Sequence, residues 1–582
     1  MRFNQFVQYL ERLEATSKRL EMYEILSELF KEADKKEADK IVYFCEERLM
    51  PPFYGLELNM AASVASKAIA KACKKKKEDV DSAAKKVGDF GLVAETLFED
   101  AKSKGVSITE VYNNLTEMAK TSGEGSVDKK ISFLADLLER CDSKEAKYVI
   151  RFVMGRLRLG VGDPTIMDSM SKAVSGDRTK LREEIERAYN LCSDLGLVAL
   201  TLFERGEKGL KEFKVKIGLP IRMAAAERLP TTEEIIGKMG KCAVESKYDG
   251  FRLQVHKDGD KVDIFSRNLE RMTHMFPDIA EGIKKQINAK KAIIEGEALA
   301  FNEETGELFP FQVTITRKRK HDISEFAKDL PLTIFLFDIL YLDGEDLTGK
   351  GYEERHKIME KTLKPGPSVK LANRIITDSS KEMEKFFEDE ISKGLEGIIA
   401  KRLDAPYEAG KRGFNWIKLK RSYKGQLEDT IDVVIVGYFK GRGMRAKFGI
   451  GALLAAVYDE KKDAFATIAR IGSGLSEERW VEIRKLVDKD KVAHKPARVD
   501  SLVEPDVWVS PKYVFTVLAD EITQSPMHTA GMTENKPGFA LRFPRIQNWI
   551  REDKSSEDAT TVKEVKDMFD HQRKVKAKSF GN

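Results

Sequence analysis

Apolar residues recur at helical spacing through the first 215 or so positions, and few runs there alternate as strands do. Phe6, Leu10, Leu13 and Leu20 form one stripe, which Ile25, Leu26, Leu29 and Phe30 continue, and the charged residues between them face water. From about 216 to 422 the pattern becomes mixed. Phe251, Leu253 and Val255 alternate with Arg252, Gln254 and His256; Asp258-Gly259 supplies a turn, and Val262 and Ile264 return as a second strand. That hairpin carries Arg267 back toward the Lys247 end of the sheet. Leu332 to Leu342 and Gly397 to Ala400 read as buried strands. After Lys420, strands are predicted over 431–439, 450–458, 464–471, 507–509 and 513–517, with a helix over 477–487.

This pattern makes the chain a multidomain α+β protein. Residues 1–215 form an all-helical domain and 216–422 a mixed α/β domain. Residues 423–582 form a Greek-key β-barrel of the oligonucleotide-binding (OB) type, ending in a basic amphipathic helix or a frayed tail over 562–578. The helical part contains an internal duplication. Asp89-Phe90-Gly91-Leu92-Val93-Ala94 recurs as Asp194-Leu195-Gly196-Leu197-Val198-Ala199, and Lys36-Glu37-Ala38 as Lys144-Glu145-Ala146. One loop differs between the copies. Arg151, Arg156 and Arg158 stand with Gly160 and Gly162 where the first copy has Pro51-Pro52-Phe53-Tyr54-Gly55. Guanidinium groups and open backbone amides bind phosphates, so these five residues are the expected contacts to a DNA backbone.

The chain has 582 residues, too many for one core, and 34% of them are charged. A net charge of +5 at this size says nothing by itself about nucleic acid, so local clustering must carry that argument. Its five cysteines are scattered with no C-x-x-C pair, which excludes a zinc ribbon and points to a reducing compartment. No apolar run reaches the length of a membrane span and no signal-peptide pattern opens the chain, so a cytoplasmic protein without membrane contact is expected.

Candidate chemistry centres on Glu245-Ser246-Lys247-Tyr248-Asp249-Gly250-Phe251-Arg252. A lysine amine is a poor nucleophile at its ordinary pKa of about 10.4, and neighbouring cations such as Arg252 would lower it. Gly250 would admit a close backbone approach or a positive φ. Alone, a lysine before Asp-Gly is most often a solvated turn residue. Two decoys are set aside. Gly344 to Lys350 fits G-x-x-x-x-G-K, but Gly351 replaces the required Ser/Thr, and Gly449-Ile450-Gly451 is no dinucleotide fingerprint.

What decides for Lys247 is the ordered company that follows: Phe265-Ser266-Arg267-Asn268, Ile294-Glu295-Gly296-Glu297, Phe335 to Leu340, Glu396 to Lys401, Trp416 to Lys420, and Leu541-Arg542-Phe543-Pro544-Arg545. This set resembles the motifs of the covalent nucleotidyltransferases. With the helical N-terminal part, it is most similar to ATP-dependent DNA ligases of the archaeal and eukaryotic replicative type.

The resemblance implies an enzyme (EC 6.5.1.1) that seals nicks in duplex DNA in replication, repair and recombination. Lys247 would attack the α-phosphate of ATP and keep AMP as a phosphoramidate. AMP then passes to the 5′-phosphate of the nick, and the 3′-hydroxyl displaces it. By the same resemblance Glu245, Arg252, Arg267, Glu297, Phe337, Arg412, Lys418 and Lys420 contact the nucleotide, with Phe337 against adenine and Glu297 at the ribose. Arg542 and Arg545 orient pyrophosphate, and Glu396 with Glu297 holds Mg²⁺. The partners implied are nicked double-stranded DNA and a sliding clamp, although no clear clamp-binding motif is present; a monomer is expected. An RNA-capping or RNA-joining enzyme shares the lysine chemistry but has no need of the helical third. An NAD-dependent ligase would carry a zinc element, and a non-catalytic DNA scaffold would not take up AMP.

Overall fold

A computed structural model describes residues 1–58, 60–157, 159–301, 314, 330–393, 395–420, 430–441 and 449–579, so Arg158 lies outside the described residues. Helices alone build the chain from Phe3–Glu14 to Leu195–Lys211. Phe3, Phe6, Leu10 and Leu13 point into one core with Met22, Ile25, Leu26, Leu29 and Phe30. Leu20, expected in that stripe, is 71% exposed. The chain leaves helix between Glu14 and Arg19, which resets the phase, and Met22 takes the inward position.

The two halves of the duplication fold across each other. Helix Ala38–Cys45 of the first packs on Leu195–Lys211 of the second, and Ser143–Val153 of the second packs on Phe90–Leu97 of the first. Each receiving helix is capped by an aspartate that the crossing helix also grips. Asp89 accepts from the Gly91 and Leu92 amides and from Arg151 Nε (3.1 Å); Asp194 accepts from the Leu197 amide and from Tyr43 Oη (2.8 Å). Arg151 is thus the counterpart of Tyr43.

The middle part is built on two sheets. The first has strand order β1-β11-β10-β2-β9, from β1 (Ala225–Arg228), β2 (Cys242–Lys247), β9 (Arg374–Thr377), β10 (Gly397–Arg402) and β11 (Arg412–Lys420). The second runs β4-β3-β5-β6-β7, from β3 (Phe251–Asp258), β4 (Lys261–Ser266), β5 (Lys291–Ala300), β6 (Leu332–Leu342) and β7 (Glu345–Asp346), with β8 (Val369–Leu371) alongside β6. Lys247 ends β2 and Phe251 begins β3, so the turn carrying Lys247-Tyr248-Asp249-Gly250 is where the chain crosses between sheets. Apolar clusters back each sheet: Ile235, Val244, Met383 and Ile398 behind the first, and Leu253, Ile279, Ile294 and Leu336 behind the second.

The C-terminal part is a β-rich unit in which Ile431–Phe439, Ala452–Asp459 and Ala464–Ile471 form an antiparallel meander, followed by helix Glu477–Val487 and later strands. Its last helix, Val562–Ser579, is anchored, since Val565 and Met568 join the β core. The unit docks on both other domains. Arg19 of the helical part pairs with Asp463 (2.8 Å), which also holds Arg498 (2.5 Å), and Arg498 reaches Glu557 (2.7 Å). On the middle part it is held by Lys563, which pairs with Glu227 of β1 (2.7 Å). The helical and middle parts meet where Arg222, just ahead of β1, donates to Tyr189 Oη (2.7 Å), whose hydroxyl in turn donates to Asp163 (2.6 Å).

Candidate active site

Register sets the site's two rows. Across β2, β10 and β11, Lys247, Gly397 and Lys420 lie side by side, and so do Glu245, Ile399 and Lys418. A Cβ at Gly397 would fall 2.0 Å from the Leu419 carbonyl oxygen, so only glycine permits this pairing. Glu396, one residue earlier, bridges Lys247 Nζ through one carboxylate oxygen and Lys420 Nζ through the other.

Burial would lower the pKa of Lys247, but Glu396, with Glu297 and Asp249 behind it, outweighs burial and holds the amine above the ordinary lysine value. Against the burial that would raise it, the same two lysines hold the Glu396 carboxyl well below the usual carboxylate range. This corrects the expectation that Arg252 depresses Lys247. The Arg252 guanidinium is engaged by the Ala224 carbonyl (2.6 Å) and Glu295 (2.9 Å), and lies over the rings of Phe337 (5.4 Å) and Trp416 (5.6 Å). Gly250 keeps an ordinary φ; its constraint is the Ala298 carbonyl oxygen, 2.5 Å from where a Cβ would sit.

Because the deprotonated amine is the reactive form, Glu396→Gln is expected to move the midpoint of the pH–rate profile for self-adenylation to lower pH. Single-turnover rates from about pH 6 to 10 test this. A midpoint unchanged or raised would show that Glu396 does not set the protonation of Lys247.

Glu297 pairs across from Arg252 in β5, accepts from the Gly250 amide (3.2 Å), and is pushed up by burial to about 7. Phe337 is half-buried and meets Trp416 edge-on at 6.0 Å. Beneath them Lys401, wholly buried, donates to Glu245 (2.7 Å) and to the Phe337 carbonyl (2.9 Å). Glu245 also accepts from Tyr352 Oη. Among the described residues no group of three or more His, Cys, Asp or Glu is arranged to hold a metal ion. Glu396 and Glu297 offer hard oxygen donors of the kind Mg²⁺ takes one or two at a time, with phosphate and water completing its shell.

The remaining cations are already partnered by the C-terminal tail. Arg412 NH1 and Lys418 Nζ share the two oxygens of Glu564 (3.0 and 2.5 Å), and Arg267 pairs with Asp558 (2.6 Å). Burial lowers Lys418 to about 8 despite Glu564. Two carboxylates therefore sit on cations that the resemblance places around the nucleotide. Glu564→Gln is expected to lower the apparent KM for ATP in self-adenylation by about tenfold, since phosphate no longer competes with a carboxylate. An ATP titration of AMP labelling with an unchanged KM would contradict it. Arg542 and Arg545 lie outside this cluster, paired with Glu521 (2.9 Å) and Asp520 (2.8 Å) of their own unit. Such exposed pairs are worth no more than about 1 kcal/mol, so both arginines can exchange partners cheaply.

The expected DNA contacts fare differently. Arg151 is 4% exposed and locked between Asp89 and Glu14 (2.7 Å), an ion pair built into the helix crossing where the other copy has Tyr43 on Asp194. This is a correction: the residue belongs to the helix crossing, not to a ligand surface. Arg156 is half-buried, while Gly160 and Gly162 face Ala497 and Arg498 of the C-terminal unit. Sequence reasoning also passed over Tyr352, Arg355, Lys401, Asp558 and Glu564. Only Lys401 lay inside a quoted motif.

Two sheets meeting at a lysine turn, with cationic strands around it, define the core of a covalent nucleotidyltransferase. Comparison narrows the class. A family model described as ATP dependent DNA ligase domain matches residues 223–420, one for the DNA ligase N terminus matches 2–171, and one for the ATP dependent DNA ligase C terminal region matches 446–554. A probable DNA ligase of Dictyoglomus thermophilum is 53% identical over 576 residues, covering 99% of each chain. A DNA ligase of Sulfurisphaera tokodaii is 43% identical, covering 98% of this chain and 97% of its own, and one of Saccharolobus solfataricus is 42% identical, covering 100% and 99%. The chain belongs to the ATP-dependent DNA ligase family. It is an ATP-dependent DNA ligase enzyme, and lysyl-AMP formation is that family's general mechanism.

Proposed function

We propose that Lys247 is the residue that carries AMP, and that the cations now held by the tail are the seats of the ATP phosphates. The observation that supports this best is the cluster Lys247–Glu396–Lys420, a half-buried amine with its own carboxylate partner beside two basic strands. Lys247 loses its proton, its lone pair attacks the α-phosphorus, and pyrophosphate leaves toward Arg412 and Lys418 once Glu564 has withdrawn. Arg542 and Arg545 exchange Glu521 and Asp520 for the pyrophosphate. Phe337 flanks the adenine, Glu245 meets its edge, and Glu297 and Arg252 hold the ribose.

Glu396 and Glu297 would hold Mg²⁺, which when bound neutralises phosphate charge. Engagement of Glu396 by a cation would also remove the counter-ion that keeps Lys247 protonated. Arg156, with Arg158, Gly160 and Gly162, meets the DNA backbone after the C-terminal unit has moved off this loop, and the same loop is where a steep loss of affinity with salt originates. Work in replication, repair and recombination follows from nick sealing. A monomer in the cytoplasm is our reading; the five unpaired cysteines suit a reducing compartment, and no helix among the described residues is long and apolar enough to cross a membrane. A sliding clamp remains a partner by family likeness alone.

Incubation with α-labelled ATP followed by a nicked duplex bearing a 5′-phosphate tests the reading. Label should pass from protein to DNA and leave as AMP when the strand closes. Label that stays on the protein would contradict it.

A further inference from the structure

The helix Tyr352–Thr362 grips three strands with three residues of its first turn. Tyr352 Oη donates to Glu245 of β2. Glu353 accepts from Arg374 of β9 (2.8 Å). Arg355 forks onto Asp338 of β6 through Nε (2.7 Å) and NH2 (2.9 Å). Tyr352 and Arg355 thereby fix the two groups that the nucleotide reading places at the base: the Glu245 carboxylate directly, and Phe337 through its neighbour Asp338. The Tyr352 ring is itself held, 1% exposed, with Lys401 Nζ 4.9 Å above it. Glu245 therefore receives one donor on each oxygen, Tyr352 on one and Lys401 on the other. A carboxylate so bound is directed, and its remaining lone pairs point along set lines.

We infer that Tyr352 is a specificity-positioning residue, acting through Glu245 to make the site choose a purine with a 6-amino group. The inference rests on the reading that Glu245 meets the edge of the base. The chemistry is one-sided. A carboxylate only accepts, so an adenine 6-amino group can donate to it, whereas the 6-oxo group of guanine would bring oxygen against oxygen. A Glu245 free to rotate would blunt that choice; one clasped from both sides enforces it. Rejection of a ligand that leaves buried polar groups unpaired is the strong form of specificity, and it requires those groups to be immobile.

The test compares self-nucleotidylation by ATP, by GTP and by purine riboside triphosphate, which is ATP without its 6-amino group. The wild-type chain and Tyr352→Phe, which keeps the buried ring and loses only the hydroxyl, are measured side by side. In the variant, the preference for ATP over the analogue is expected to fall by about tenfold, through KM for ATP, and the preference over GTP to fall with it. The loss should spare the analogue, because only ATP carries the amino group. An equal loss on all three nucleotides would reduce Tyr352 to packing, and an unchanged preference would remove it from recognition; either overturns the inference while leaving Glu245 at the base. A wild-type chain that does not prefer ATP over the analogue would overturn the Glu245 reading itself, and the inference with it.

Discussion

Lys247→Ala is expected to abolish formation of the protein–AMP adduct, a loss on the order of 10⁶-fold by analogy with deletion of other covalent nucleophiles. The magnitude follows from the kind of step involved. Arginine and lysine side chains can be lost with a graded decrease, because several share the charge of one phosphate. A covalent nucleophile has no deputy at the same place. Lys247 stands at the crossing from β2 to β3, and Glu396 draws it toward Lys420. Burial brings the amine of Lys418 down to about 8. It is tied to Glu564, however, and lies in the Glu245 row, not beside Glu396. Quantitative labelling of wild type and variant by α-labelled ATP measures the effect, and substantial labelling of the variant would mean that another amine does the chemistry. The variant should still seal a strand already carrying 5′-linked AMP, because that last displacement needs no amine nucleophile.

Arg355→Leu is expected to be the most damaging single change to the stability of the middle domain, at about 3–5 kcal/mol. Arg355 and Asp338 are both fully buried and bonded in two places, and Arg355 also holds the carbonyl of Ala405 (3.1 Å). Removal of the arginine strands a carboxylate inside the fold, and the cost is that of an uncompensated charge, not of a lost contact. Replacing both partners, Arg355→Leu with Asp338→Leu, should recover much of the loss, which a structural ion pair predicts and a mere packing defect does not. Denaturant titration of the three variants provides the comparison. A single variant within about 1 kcal/mol of wild type would contradict it.

Much of this architecture could be read from periodicity. The helix over 477–487 and the strands over 332–342 and 431–439 were legible because each has a continuous apolar pattern bounded by turn residues. Leu20 was misplaced because a break in a helix shifts the stripe without leaving a Pro or Gly to announce it. Arg151 was misread for a related reason. A guanidinium beside glycines looks the same whether it meets phosphate or Asp89, and only the crossing of the two repeat halves decides.

In the site, ordered motifs located Lys247, Glu396, Lys418 and Lys420, since strand register turns their spacing into neighbourhood. Register says nothing about Glu564 or Asp558, which arrive from more than a hundred residues away along the chain. Nor does it reveal Tyr352 or Arg355, whose helix shows no sign of chemistry. The protonation of Lys247 was also out of reach. Its sign depends on carboxylates outnumbering cations around one amine, and that count exists only in three dimensions.

The most direct measurement is to incubate the wild-type chain with ATP, digest it, and sequence the AMP-bearing peptide by tandem mass spectrometry. AMP on Lys247, within the peptide that also holds Tyr248 and Asp249, is the predicted result. AMP on Lys418 or Lys420, with Lys247 unmodified, would contradict the assignment at its centre.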